Sequence, residues 1–206
     1  MIKFDKSQEP SELAAYRRQH GTTYDDIPTE IKNNIRTSLI IEQGYICAYC
    51  NCRIKDNSET TNIEHIKPQS KHEDLRLNYR NMLLVCKGKL NNRLSCDTQK
   101  GDKQLSFDPQ DEGFLRTIQY TSKGDIKSTN PIWNKDLNTI LNLNASDIIE
   151  NRRTAFTTFL QKITRKQWNA HKIVYWIDTL RTRNPQGMYI PYCGYIIYML
   201  EKRKQR

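Results

Sequence analysis

Five of the six cysteines, Cys47, Cys50, Cys52, Cys86 and Cys96, fall within fifty residues, with Glu64-His65 and Asn81 threaded between them and Asp97 directly behind. In a cytoplasmic chain such a cluster more often binds metal than forms disulfides, and a shared ion obliges distant segments to meet. Cys47-Ala-Tyr-Cys50 is a CxxC knuckle, which offers two thiolates to one tetrahedral ion from a tight turn. Cys86 and Cys96 can supply the second pair, although nine residues (KGKLNNRLS) separate them where a second CxxC is usual. Cys52 could replace one ligand, but three sulfurs inside six residues would strain the turn. Cys193 stands apart and reads as a small buried side chain.

The residues around the cysteines carry a second chemistry. A neutral imidazole at His65 can accept a proton near pH 7, and the neighbouring Glu64 carboxylate can hold a hard cation such as Mg²⁺ or Mn²⁺. Neighbours on a strand point to opposite faces, so this pair must sit at a strand end or bend to serve one centre. Asp97 directly follows Cys96 in a CDxxK stretch at an expected helix start and could complete a metal site, while Lys100, one turn on, could meet a phosphate. Each residue has a bland reading alone: Asn81 could cap a turn, and His72 in SKHED is an exposed loop histidine with a smaller claim to be the base. His20 and His171 read as structural. The order CxxC, EH, N, C, CDxxK within about fifty residues is the specific signal.

Patterning places these residues in an α+β chain. Residues 9–20 predict a short helix capped by Ser11. Ile31, Ile35 and Leu39 recur every four residues behind Pro28, predicting a helix from Ile27 to Gln43 that Gly44 ends. YICAYCNCRI and TTNIEHIKP read as two strands of one hairpin, turned by KDNSE, and RNMLLVC as an apolar run leading to the later cysteines. Residues 69–80 read as a polar loop and 101–131 as loops with a short hairpin at FLRTIQYTSKGDIK. Helical patterning returns from Asn144. Asp147 and Glu150 stand at capping-box spacing, and apolar stripes run through Phe156, Phe159, Leu160 and Ile163, then Ile173, Trp176, Ile177 and Leu180. A last helix from near Pro191 carries Ile196, Met199 and Leu200. The expected organisation is an N-terminal helical segment (1–43), a metal-stabilised core (44–108) and a C-terminal loop region with a basic helical segment (109–206).

Charge narrows the partners. Residues 151–206 hold 12 basic side chains against Asp178 and Glu201, which accounts for the whole net charge of +10. Such a segment suggests a polyanion surface, with Arg152 and Arg153 as candidate phosphate contacts beside Lys100. No apolar run approaches the roughly 20 residues of a membrane span, and MIKFDKSQEP is no signal peptide, so a soluble cytoplasmic protein is expected.

The series Cys47-x-x-Cys50, Glu64-His65, Asn81, Cys86 and Cys96-Asp97-x-x-Lys100-Gly101-Asp102 resembles the HNH endonuclease superfamily. The text around it (ELAAYRR, EQGYICAYC, IEHIKPQS, NMLLVC, CDTQKGD) is similar to the PtuB-like nucleases of Septu and retron-associated anti-phage systems, most strongly over residues 40–103. The resemblance implies a ββα-metal (HNH, His-Me finger) core with structural zinc, flanked by N- and C-terminal helices. It implies His65 as general base, and Glu64 and Asp97 as ligands of a catalytic Mg²⁺ or Mn²⁺. Asn81 would steady the loop and the histidine, and Cys47, Cys50, Cys86 and Cys96 would hold Zn²⁺. It also implies a nucleic-acid substrate and a PtuA-type ATPase partner, which the helical faces of residues 144–206 could dock. The chain departs from the family in Glu rather than Asp at 64, in Asp97 where His or Asn is common, and in the long Cys86–Cys96 spacing. The rival reading is a zinc-stabilised nucleic-acid-binding or adaptor module without catalysis, which has no need of Glu64, His65 and Asp97 together. A Cys-based redox protein is discounted, because no thioredoxin-like βαβ pattern surrounds Cys47.

Overall fold

Helix α1 (Ser11–Arg17) starts directly after Pro10, whose ring fixes the entry, so the expected cap Ser11 is instead the first helical residue and its hydroxyl donates to Glu12 Oε2 at 3.0 Å. Helix α2 (Thr29–Glu42) follows Pro28 in the same manner and buries Ile35, Leu39 and Ile40. It ends at Gly44 (φ +56°), where a Cβ would stand 2.4 Å from the Tyr189 ring, so the stop and the packing of a distant loop require the same glycine. This computed structural model describes residues 1–90, 93–163 and 169–204.

The two extended runs form strands differently from expectation. Strand β1 (Thr61–His65) pairs antiparallel with β2 (Met82–Cys86), from Thr61↔Cys86 to His65↔Met82, and not with YICAYCNCRI. Residues 45–54 curl into a knuckle with a single bridge, Ile46↔Arg53, because Tyr45 and Asn51 take positive φ and Cys47 N–H turns back onto the Cys52 carbonyl at 2.9 Å. The knuckle covers the far edge of β2: Ala48 N–H donates to the Leu84 carbonyl at 3.2 Å, and the buried Gln43 amide bonds both the Leu84 N–H (2.7 Å) and its carbonyl (2.6 Å). With both edges satisfied, Met82, Leu83, Leu84 and Val85 are buried with α2 against the strand. Two short strands, β3 (Lys89–Leu90) and β4 (Arg93–Leu94), then form a hairpin ahead of α3 (Cys96–Lys100).

The C-terminal half begins with α4 (Glu112–Thr117), capped by the Asp111 side chain on the Phe114 N–H. The expected hairpin follows in shortened form as β5 (Ile118–Tyr120) paired with β6 (Ile126–Ser128), because FLRT, read as its start, belongs to α4. Helix α5 (Pro131–Thr139), in a stretch that sequence reading leaves unassigned, has Asn130 as cap and Pro131 at its first turn. Helix α6 (Ser146–Lys162) starts after Ala145 with no side-chain cap, so Asp147 and Glu150 form no capping box. Helices α7 (Ala170–Arg181) and α8 (Cys193–Lys204) pack together, α8 also lies on α6 and β5, and the buried apolar cluster is continuous from Met1 to Leu200 with Cys193 inside it.

Arg152 departs from its expected role as a phosphate contact. Its side chain is 1% exposed, Nη1 donates to the Gly124 carbonyl at 3.0 Å, and the guanidinium lies 5.6 Å from the Tyr120 ring centre. It fastens α6 to the β5–β6 turn and presents almost no surface to a ligand. Arg152→Ala should lower the unfolding free energy by about 1–3 kcal/mol, the cost of orphaning a buried partner, as read from urea denaturation.

Candidate metal centre and candidate active site

The four sulfurs meet from three separate elements. Cys47 and Cys50 come from the knuckle, Cys86 ends β2 and Cys96 opens α3, and their Sγ atoms all lie within 4.8 Å of one another. A tetrahedral ion with sulfur ligands at about 2.3 Å needs sulfurs about 3.8 Å apart, and Cys50 and Cys86 stand at 3.7 Å. The group could therefore hold a metal such as zinc. Cys52 lies outside the four and serves through its carbonyl, which accepts the Cys47 N–H. Burial would raise the Cys47 thiol, but hydrogen bonds from Cys50, Cys52, Cys86 and Cys96 hold it well below its usual range. The hydrogen bond with Cys47 pushes Cys86 and Cys96 well above it. The hydrogen bond with Cys47 raises the Cys50 thiol, but those with Cys52, Cys86 and Cys96 bring it down to about 6, so the cluster favours thiolates at Cys47 and Cys50 and a dication would ionise the rest.

The unusual spacing between Cys86 and Cys96 has a local cause. Ser95 N–H donates to the Gly88 carbonyl at 2.8 Å, and Gly88 takes φ +65° with the Ser95 carbonyl oxygen only 2.0 Å from where a Cβ would be. That contact closes the base of the β3–β4 pair. The two cysteines then approach as if the intervening hairpin were absent.

Beside this cluster an open cleft of ≈ 410 Å³ is lined by Glu64 and His65 from the end of β1 and by Asp97 and Lys100 from α3. His65 is 4% exposed, its Nε2 lies 2.9 Å from the Arg76 carbonyl, and its ring meets the Tyr24 edge at 4.6 Å. A nitrogen facing a carbonyl must carry the proton, so the lone pair is left on Nδ1, 3.1 Å from the Gln69 amide nitrogen, which donates to it. Burial lowers the His65 pKa, which keeps the ring neutral. Asn81 touches the loop and acts on the histidine only through it. It accepts the Lys67 N–H (2.8 Å) and donates to the Lys67 (3.1 Å) and Leu75 (3.2 Å) carbonyls, gathering the excursion that presents the Arg76 carbonyl. His72 lies outside the cleft, hydrogen-bonded to Gln104.

The carboxylates line the same cleft. Asp97 Oδ2 accepts from Asn62 Nδ2 at 2.6 Å, and Asn62 and Glu64 occupy one face of β1 by strand alternation. Burial pushes the Glu64 carboxyl up, Lys100 pulls it down, and a hydrogen bond with Asp97 raises it further. Lys100 also departs from expectation: it is 1% exposed, with Nζ 2.5 Å from Glu64 Oε1 in place of a free ammonium awaiting phosphate. Among the described residues the cysteines are the one group of three or more His, Cys, Asp or Glu whose ligand atoms converge. Glu64 and Asp97 alone suit a hard cation that keeps waters and takes further oxygens from a phosphate.

Sequence reading missed Tyr24, Lys32, Arg36, Asn62 and Gln69, all of which line the cleft. Alternation along β1 could have found Asn62, whereas no local pattern announces the α2 residues. Exposed Arg153 on α6 is not part of the cleft lining, and Arg165, Lys166 and Arg206 of the basic segment lie outside the described residues.

No family model matches the chain. Over 99 residues, 48% of its length, it is 29% identical to Septu protein PtuB of Bacillus thuringiensis. The chain spans about a third of that curated relative, the matched stretch covering 34% of it. No described helix is long and apolar enough to cross a membrane.

Metal analysis of the purified protein should find one tightly held ion per chain, absent from Cys86→Ser. Gly88→Ala should also lose metal, because its Cβ and the Ser95 carbonyl cannot both stay in place. Full occupancy in that variant would show that the pinch does not gather the sulfurs.

Proposed function

We propose that the chain is a metal-dependent HNH-type endonuclease that hydrolyses nucleic-acid phosphodiester bonds as the nuclease component of an anti-phage defence system. The partial likeness to Septu protein PtuB supports the defence role. The observation that carries the chemistry is a buried His65, its Nε2 committed to the Arg76 carbonyl and its Nδ1 to the Gln69 amide, in the lining of the same cleft as Glu64 and Asp97. On this reading β1, β2 and α3 are a ββα-metal unit, with zinc on the four cysteines as its internal staple. A PtuA-type ATPase partner follows from the same likeness.

His65 Nδ1 takes the proton of the attacking water, which first displaces the Gln69 amide from that lone pair. The Nε2–H bond to the Arg76 carbonyl keeps the resulting imidazolium oriented, and Asn81 keeps the loop that holds this carbonyl. Lys32 and Arg36, on the cleft wall from α2, offer positive charge to the substrate backbone. A Mg²⁺ or Mn²⁺ ion held by Glu64 and Asp97 would supply stabilisation for charge developing on the phosphate and on the departing 3′ oxygen. The products carry 5′-phosphates. A zinc-stabilised adaptor without catalysis shares the cysteines, but it leaves the buried histidine and its carbonyl partner unexplained.

His65→Ala should cut cleavage of plasmid, single-stranded DNA or RNA by about 10²-fold or more while the cysteine-bound metal and the fold are retained. EDTA should abolish cleavage and Mg²⁺ or Mn²⁺ restore it. Near-normal cleavage by His65→Ala would remove the histidine from the chemistry. Absence of cleavage by the wild type, with and without the ATPase, would favour the adaptor.

A further inference from the structure

Lys100 stands where a cation would be expected. Asp97 and Lys100 are three residues apart on α3 and so share a face, which lies against the Glu64 side of β1. The ammonium is bonded to Glu64 at 2.5 Å, while its other contacts, the carbonyls of His65 (3.4 Å) and Gly101 (3.5 Å), are long. Glu64 is therefore its main anchor, in a site from which water is largely excluded. An ammonium and a dication set against the same desolvated carboxylate repel each other, so each weakens the other's hold on Glu64.

The local structure also provides somewhere for the ammonium to go. Beyond Lys100 the chain turns at Gly101 (φ +51°), where a Cβ would meet nothing within 4 Å, and exposed Asp102 lines the same cleft. A lysine stem is flexible along its four carbons and carries a compact head, so the ammonium can leave Glu64 by rotamer changes.

We propose that Lys100 is a resident counter-cation that competes with the divalent ion for Glu64, so that loading the site requires its side chain to swing off that carboxylate. It is a positioning residue that sets the divalent affinity of the resting protein. The inference rests on the metal-dependent reading given above.

The test uses full-length protein with its cysteine site loaded with zinc and Mn²⁺ alone as the probe, free Mn²⁺ being followed by electron paramagnetic resonance. Lys100→Met should bind Mn²⁺ about tenfold tighter than the wild type or better, with a larger rise in melting temperature on Mn²⁺ addition. Lys100→Arg, which keeps the charge, should stay near wild type. Adding Glu64→Gln to Lys100→Met should erase the gain. If the wild type binds Mn²⁺ and Lys100→Met binds it no more tightly, the competition is refuted while the metal-dependent reading stands. If neither protein binds Mn²⁺, that reading falls and the inference with it. Should Lys100→Met fail to retain zinc or fold, the wild type answers by NMR. Its Lys100 ε-methylene signal should shift as Mg²⁺ saturates the site, and an unmoved signal would overturn the proposal.

Discussion

Convergence of four sulfurs from the knuckle, the end of β2 and the start of α3 is the constraint on which the cleft depends. None of these segments has much regular structure of its own. The knuckle is closed by a single bridge, and α3 is five residues long, too short for helix propensity to hold it. Holding Cys96 against Cys47 and Cys50 fixes where α3 begins, and its first and last turns then carry Asp97 and Lys100 to the face of β1 that bears Asn62 and Glu64. A metal in the cluster would thus set the geometry of a site it does not touch.

The cleft concentrates groups that are costly to bury, and each has a specific partner. Glu64 has Lys100, Asp97 has the Asn62 amide, and His65 has the Arg76 carbonyl and the Gln69 amide. Buried ionic pairs contribute little net stability against well-packed apolar replacements, so their presence is better explained by a task than by folding. Asn81 works at one remove: three hydrogen bonds to the excursion after β1 hold a carbonyl that in turn selects the tautomer of His65. These are the features from which the nuclease reading is proposed.

Charge is placed differently from its distribution along the chain. The excess of Lys and Arg lies in residues 151–206, yet Arg152 is turned inward against Gly124 and Tyr120. Lys32 and Arg36, from the charge-balanced part of the sequence, stand over the cleft. Net charge by segment reports the long-range field of a molecule and not which guanidinium faces a ligand.

Much of the local structure was legible in the residues themselves. Proline-led helix starts, the apolar period of α2, the extended character of residues 61–65, the apolar run at 82–86 and the grouping of cysteines all rest on interactions within a few residues, which sequence spacing reports directly. The partner of β1 was not legible, because YICAYCNCRI and RNMLLVC are both apolar enough to pair. The choice fell to backbone turns at Tyr45 and Asn51 and to the side-chain ladder of Gln43, all expressed only once α2 and β2 are packed. The same holds for the Gly88–Ser95 pinch, the burial of Arg152 and the capture of Lys100 by Glu64. Each depends on which distant group arrives beside a flexible or charged residue, and desolvation, which decides the outcome, exists only in the folded chain.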